Sequence, residues 1–334
     1  MGKHLLSFVL ATALVALAAF PVQSEDIRLR YANFPPDNTF PCVQMERWKT
    51  EVEERTGGQV SVKTFPGGTL LGAKNMLRGV IQGQADIGCL CMAYQPGVFP
   101  VTSVTELPLG FESAEAASLA LLELFRQHDP EEFSKVKVLT MFTSAPSNLM
   151  TRTPVQSLAD LQGLEIRGSG IASRILDKLG ATPVSMPMSE TPEALQKGVV
   201  QGLLSSLEVM KDLNFAAYCS HVTMTQFQVY PFAVVMNKDS WASLPPDVQE
   251  VMDDLSLEQA RWTGQYMDGH VREAVEYAKS AHGVTVHTLA PEDEAEARKR
   301  IAPLVDQWKE EVAAKGLPAE QIVKDIRGLQ KKYQ

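Results

Sequence analysis

Residues 157–186, SLADLQGLEIRGSGIASRILDKLGATPVSM, decide the fold. Ser157 can cap a single helical turn over 158–161, which stops at Gly163. Residues 164–167 then read as a strand, and Gly168-Ser169-Gly170 turns the chain into a helix over 171–179. Residues 182–186 return as another strand. Strand, small-residue turn, helix and strand in this order make a βαβ unit, which implies a mostly parallel sheet with helices on its faces.

The same rhythm precedes this stretch in a different sequence. Residues 27–32 alternate as a strand and end at Asn33-Phe34-Pro35-Pro36, a loop that continues neither element. A helix over 42–55 carries Met45, Trp48 and Val52 on one face and stops at Gly57-Gly58. Residues 60–65 form a second strand, and a helix near 74–82 leads to an apolar strand over 85–91. Residues 136–142 form a further strand. Ser189 caps a helix beginning near Thr191-Pro192, where proline suits the first turn. Residues 222–236 read as extended chain broken at Pro231, and Pro245-Pro246 opens the longest helical stretch, 247–282. A helix of that length usually spans two lobes. The chain of 334 residues is too long for one ordinary core. With crossovers at 144–150 and 230–232, the expected architecture is a two-lobed α/β clam. Lobe I is residues 25–144 plus 231–270, and lobe II is 145–230 plus 271–334. There is no internal repeat and no low-complexity segment.

Residues 1–24 read as a cleaved signal peptide. Lys3 and His4 precede an uncharged run over 5–20, and Val22 and Ser24 are the small residues that signal peptidase reads before Glu25. As a membrane anchor the run is short and lacks basic residues on its far side. The expected location is the periplasm. Losing Lys3, the one formal charge in the segment, takes the net charge from −9 to −10. Such an acidic protein is a poor partner for nucleic acid or anionic membranes.

Catalytic and metal signatures are missing. The six histidines are scattered, and Cys42, Cys89, Cys91 and Cys219 offer only a C-x-C where zinc sites need paired C-x-x-C. An exported protein permits disulfides, but sequence cannot choose among three full pairings. Residues 67–74, GGTLLGAK, misplace the lysine of a phosphate loop, and Gly168-x-Gly170 lacks the third glycine of a dinucleotide fingerprint. No cofactor, metal or catalytic residue is expected.

Arg167 is the strongest candidate for chemistry. It ends a strand at the sheet edge where α/β proteins place ligands. Gly168-Ser169-Gly170 beside it allows close backbone approach and opens a helix, whose free N–H groups favour an anion. A guanidinium there can hold a carboxylate or sulfonate through two parallel hydrogen bonds. The competing reading is a structural pair between Arg167 and Glu165 or another acid.

The sequence resembles the substrate-binding proteins of tripartite ATP-independent periplasmic (TRAP) transporters. The resemblance is carried by SLADLQGLEIRGSG (157–170), LGATPVSMPMSETPEALQKGVVQG (179–202), FPGGTLLGAKNM (65–76), VIQGQADIG (80–88) and VVMNKDSWASLPPDVQEVM (234–252). It spans essentially all of the mature protein. It implies two lobes closing on an organic acid, with Arg167 clamping the carboxylate, and transfer to integral-membrane TRAP subunits. By position it further implies Phe34 after the first strand, Cys89 and Cys91 on one face of the third, and Ser147 and Asn148 at the crossover. Met188, Ser169, Tyr230 and the pair Ser205 and Ser206 complete the implied pocket, with Tyr94 nearby. Many members read Gln-Glu-Asn-Pro where this sequence has Leu203-Leu204-Ser205-Ser206. Sugar-acid members carry a second arginine near Ser147, which Arg152 does not match. The expected ligand is therefore a compact monoanion with an apolar or aromatic body, bound by a monomer. A binding protein for another carrier or sensor, and more remotely a periplasmic hydrolase, are the alternatives.

Overall fold

The computed structural model describes residues 26–334; the expected signal segment, residues 1–24, lies outside the described residues. Eleven strands follow in sequence order: β1 Ile27–Ala32, β2 Val60–Phe65, β3 Ile87–Cys91, β4 Val136–Thr143, β5 Asn148–Thr151, β6 Glu165–Arg167, β7 Thr182–Val184, β8 Gly202–Ser205, β9 His221–Met224, β10 Pro231–Asn237 and β11 Thr285–Thr288. They form two sheets, of order β2-β1-β3-β10-β4 and β11-β9-β5-β8-β6-β7. Each sheet is the centre of one lobe.

Each sheet is mostly parallel in strand direction, with one strand reversed, β10 in the first and β5 in the second. β1 runs parallel to β2 and β3, and β6 parallel to β7 and β8. β10 is antiparallel to β3 and β4, and β5 to β8 and β9. The reversal follows from the crossovers. The backbone enters the second lobe through β5 and returns to the first through β10, and the two connecting segments run side by side. Ser144 and Ser147 donate backbone N–H bonds to the carbonyls of Tyr230 (2.9 Å) and Gln228 (2.8 Å).

Local sequence explains the packing beneath each sheet. The helix Phe40–Arg55 has proline in its first turn and buries Met45, Trp48 and Val52, with Trp48 edge-on to Tyr31 of β1 at 5.7 Å. Every residue of β3 and β10 is buried, as central strands require. Gly88 in β3 lets the helix Met76–Ile81 approach, since a Cβ there would lie 2.7 Å from Val80 Cγ2 and 2.8 Å from Met76 Sδ. Ser157 and Asp160 form the reciprocal cap of the short turn Leu158–Leu161.

The helix Pro246–His282 runs 37 residues, about 55 Å at the usual rise. Val248, Met252, Leu255 and Met267 are buried where the helix packs on β4 and on the lobe I helix Ala114–His128, and Ala278 joins the cluster beneath the second sheet. The extended reading of 222–236 resolves into β9 and β10, which belong to different lobes. The assignment of 271–334 to lobe II needs correction at its end. The helix Ala319–Tyr333 packs on the lobe I helix Ala114–His128, where Lys332 pairs with Glu123 at 2.7 Å and His128 bonds Asp325 at 3.0 Å. Ile322, Ile326 and Leu329 give that helix an apolar stripe, and it is buried against the first lobe's core.

Candidate functional site

Arg167 ends β6, level with Val184 of β7 and Leu203 of β8. Its side chain is fully buried, at 0% exposure. Nε and Nη2 donate to the Met186 carbonyl at 3.0 and 2.8 Å, and Nη2 also donates to the Tyr94 hydroxyl at 3.1 Å. The rings of Tyr94 and Tyr230 lie 5.9 and 5.7 Å from the guanidinium carbon. Nη1 has no hydrogen-bond partner, and no carboxylate among the described residues lies within 4.0 Å to neutralise the charge. A buried cation without an anion is costly, and an arriving anion relieves that cost. The structural pair with Glu165 is not formed; the Glu165 side of the strand is exposed.

Arg167 borders a cavity of about 50 Å³ between the lobes. Phe34, Phe40, Cys91, Tyr94 and Phe232 line it from lobe I, and Met188, Ser205, Glu208 and Asp212 from lobe II. The aromatic wall is tightly built: Phe34 meets Tyr94 edge-on at 5.6 Å, and Phe40 meets Phe232 at 5.3 Å. Tyr94 bridges the lobes, accepting from Arg167 and from the Met188 backbone N–H (3.0 Å). Burial pushes the Tyr94 phenol up to about 12 even beside the guanidinium, so it is neutral. Tyr230 is fixed by donating to the Leu204 carbonyl at 3.1 Å.

Seven of the residues singled out from sequence line this cavity: Phe34, Cys91, Tyr94, Arg167, Met188, Ser205 and Tyr230. Five do not. Cys89 shares a face of β3 with Cys91 but sits deeper, in the core with Cys42 and Tyr31. Ser147 Oγ accepts from Gln228 (3.0 Å), and Asn148 Oδ1 accepts the backbone N–H groups of Thr225 (2.8 Å) and Gln226 (3.2 Å), so both brace the crossover. Ser169 donates to the Met186 carbonyl at 3.0 Å and thereby positions the same carbonyl that holds Arg167. The Ser206 hydroxyl is engaged by Glu208. All four cysteines are free and buried.

The helix opening at Gly170 also departs from expectation. Its first N–H, on Ile171, donates to Oε2 of Glu106 from lobe I at 3.1 Å. Gly170 has φ of 57°, and a Cβ there would fall 2.2 Å from that carboxylate oxygen. The carboxyl group at this helix start is the protein's own, and the glycine makes room for it. Burial pushes the Glu106 carboxyl up to about 7.

Sequence reasoning missed a polar group on the lobe II wall. Glu208 and Asp212 follow β8 with the i, i+4 spacing of one helical turn, at the strand edge where ligands collect. That spacing was the available signal. Burial raises Glu208 to about 7. Asp212 Oδ1 bonds His270 Nε2 of the long helix at 2.7 Å, which raises the imidazole above its ordinary range.

Known proteins share this fold. Residues 31–311 match the family described as bacterial extracellular solute-binding protein, family 7 (DctP). A TRAP periplasmic solute-binding protein from Desulfovibrio salexigens is 59% identical, with 92% of this protein and 97% of that one covered at a TM-score of 0.84. Its ligand-binding site holds the C-terminus of a symmetry mate. A marine metagenome TRAP protein specific for aromatic acids, solved with 3-hydroxybenzoate, is 30% identical over 92% of this protein and 99% of that one, at 0.88. A Rhodoferax ferrireducens TRAP protein with copurified benzoate is 26% identical over 92% and 98%, at 0.87. The family model spans most of the sequence, and the protein accordingly belongs to the family 7 extracellular solute-binding proteins, the solute receptors of TRAP transporters.

Proposed function

We propose that this protein captures a small organic carboxylate between its closing lobes and delivers it to a TRAP-type membrane transporter. The observation that carries the reading is the buried Arg167 guanidinium, whose Nη1 faces no protein partner among the described residues. A carboxylate would supply the missing acceptors and the missing charge together. The relatives support the same chemistry: benzoate and 3-hydroxybenzoate are carboxylates, and so is the C-terminus of a polypeptide.

Arg167 is the one arginine or lysine lining the cavity. A second carboxylate on the ligand would find no cation on the cavity wall among the described residues. The aromatic surfaces of Phe34, Phe40 and Phe232 fit an apolar body. The ligand is therefore a compact monoanion, contacted by Phe34, Cys91, Tyr94, Met188, Ser205 and Tyr230. The space of about 50 Å³ is well below the ~150 Å³ of a cavity that takes benzene, so ring-bearing acids require the two walls to separate slightly.

The receptor acts as a monomer in the periplasm after removal of residues 1–24. Its moving bodies are the two sheets with their helices, hinged at the paired crossovers. A hydrolase would need a histidine poised on a nucleophile, and the histidine nearest the cavity, His270, is committed to Asp212.

A thermal-shift screen tests the reading, using monocarboxylates, dicarboxylates, sulfonates and sugar acids. The largest rise in Tm should come from monocarboxylates. The proposal fails if no acid raises Tm and mass spectrometry of the denatured protein finds no copurified acid.

A further inference from the structure

Two clusters of polar groups border the cavity, and they share no partner. Arg167 is held by Met186, Tyr94 and Tyr230. Glu208 and Asp212 are held by Ser206, His270 and Asn38, the last donating to the Asp212 carbonyl at 2.7 Å. No ion pair within 4.0 Å joins the clusters. Glu208 is 4% exposed, and the Asp212 side chain is also 4% exposed. Asp212 Oδ2 is buried with no hydrogen-bond partner among the described residues. A carboxylate oxygen in that state lacks a donor, as Arg167 Nη1 lacks an acceptor.

We propose that Glu208 and Asp212 form a second, acceptor end of the pocket that receives a neutral hydroxyl of the ligand, so that this receptor prefers hydroxy acids whose hydroxyl is remote from the carboxylate. The inference rests on the reading of Arg167 as the carboxylate seat. A hydroxyl rather than an ammonium follows from the charges already present. Asp212 is met by His270, whose Nδ1 lies 3.8 Å from Glu273, and Glu273 is in turn met by Lys211 at 3.6 Å. Arg167 is met by the ligand carboxylate. Burial favours the neutral form of Glu208, which leaves no net negative charge for an ammonium to answer. Carboxyl groups can accept from a hydroxyl in either protonation state. A site built to bond a hydroxyl also rejects the analogue lacking it, because its buried acceptors are then left unpaired.

The test is isothermal titration of the wild-type mature protein with two matched sets. One is butyrate, 3-hydroxybutyrate and 3-aminobutyrate; the other is benzoate and 3-hydroxybenzoate. In whichever skeleton binds, the hydroxy acid should bind at least about tenfold tighter than its parent. Glu208→Leu should bring that ratio close to one. The wild-type ratio stands even if the variant does not fold. Equal binding of parent and hydroxy acids overturns the inference and leaves the carboxylate site intact. Tighter binding of 3-aminobutyrate overturns the hydroxyl in favour of a cation. If none of these acids binds and the wider acid screen is also silent, the carboxylate reading falls and this inference with it.

Discussion

Replacing Arg167 by methionine should weaken ligand binding and strengthen the ligand-free fold at the same time. The binding loss comes from removing one partner of a desolvated, charge-assisted pair, which costs about 2–5 kcal/mol. That corresponds to a Kd raised roughly 30-fold to several-thousand-fold. The stability gain comes from the same geometry. In this structure the guanidinium is wholly buried, and among the described residues Nη1 has no partner and no carboxylate lies within 4.0 Å. Methionine fills much of the same volume without a charge, and exchanges of that kind are worth about 1–4 kcal/mol in favour of the fold. Little is lost in return. The Met186 carbonyl keeps the Ser169 hydroxyl at 3.0 Å, and the Tyr94 oxygen keeps the Met188 N–H at 3.0 Å. Calorimetric titration with the best acid from the screen measures the first effect. Differential scanning calorimetry without ligand measures the second, as a rise in Tm of a few degrees. A variant that binds as tightly as the wild type refutes the clamp. A variant that melts lower refutes the claim that the buried charge is uncompensated, and would mean that the guanidinium serves the fold.

Tyr94→Phe removes one oxygen that accepts from both Arg167 and Met188; Kd should rise about tenfold with little change in apo Tm, and an unchanged Kd would show that Tyr94 only packs. Cys42, Cys89, Cys91 and Cys219 are buried, and burial pushes Cys42 and Cys219 up to about 12. A thiol reagent at pH 8 should therefore count none in the folded protein and four in denaturant without reductant, and fewer than four would reveal a disulfide. Stability should fall between pH 5 and 8. Burial raises Glu106 and Glu208 from 4.5 to about 7, so the unfolded state releases their protons first as pH rises. Each then costs the fold on the order of 3 kcal/mol by pH 8. His270, raised by Asp212, acts in the same direction, and His221, lowered by burial and by His287, opposes it. Equal Tm at pH 5 and 8, or a slope unchanged in the Glu106→Gln/Glu208→Gln double variant, would show that these carboxyls are solvated.

Much of this could be read before the structure because local signals and tertiary context agreed. The turn at 158–161 begins on its Ser157 cap, the helix at 171–179 lies between Gly170 and Gly180, and the long helix starts at Pro246 and stops at Gly283. Arg167 was legible for the same reason: strand end, glycine turn and helix start are adjacent in sequence. What escaped was set by contacts distant in sequence. Glu106 occupies a helix start 65 residues away, and no local pattern announces that. Asp212 acquires its role from His270, 58 residues on. Asn148 and Ser147 look like pocket residues by position, yet the paired crossover claims their side chains. The direction of β5 and β10 likewise depends on where the backbone re-enters each lobe, which strand periodicity does not encode.

The place of β10 constrains how the molecule can be assembled. β4 stands at the edge of its sheet and pairs with no strand but β10, and the whole run 144–230 is synthesised between them. A polypeptide made from its N-terminus therefore holds β1, β2 and β3 together early, while β4, though it can pack on the helix Ala114–His128, waits without a strand partner until β5 to β9 have been made. Lobe I is thus first to begin and cannot be finished until late, so residues 26–143 alone should not yield a stable fragment. Long-range closure of this kind slows folding and keeps the nascent polypeptide pliable. If the proposed signal peptide directs the unfolded polypeptide across a membrane, slow completion becomes an advantage conferred by topology.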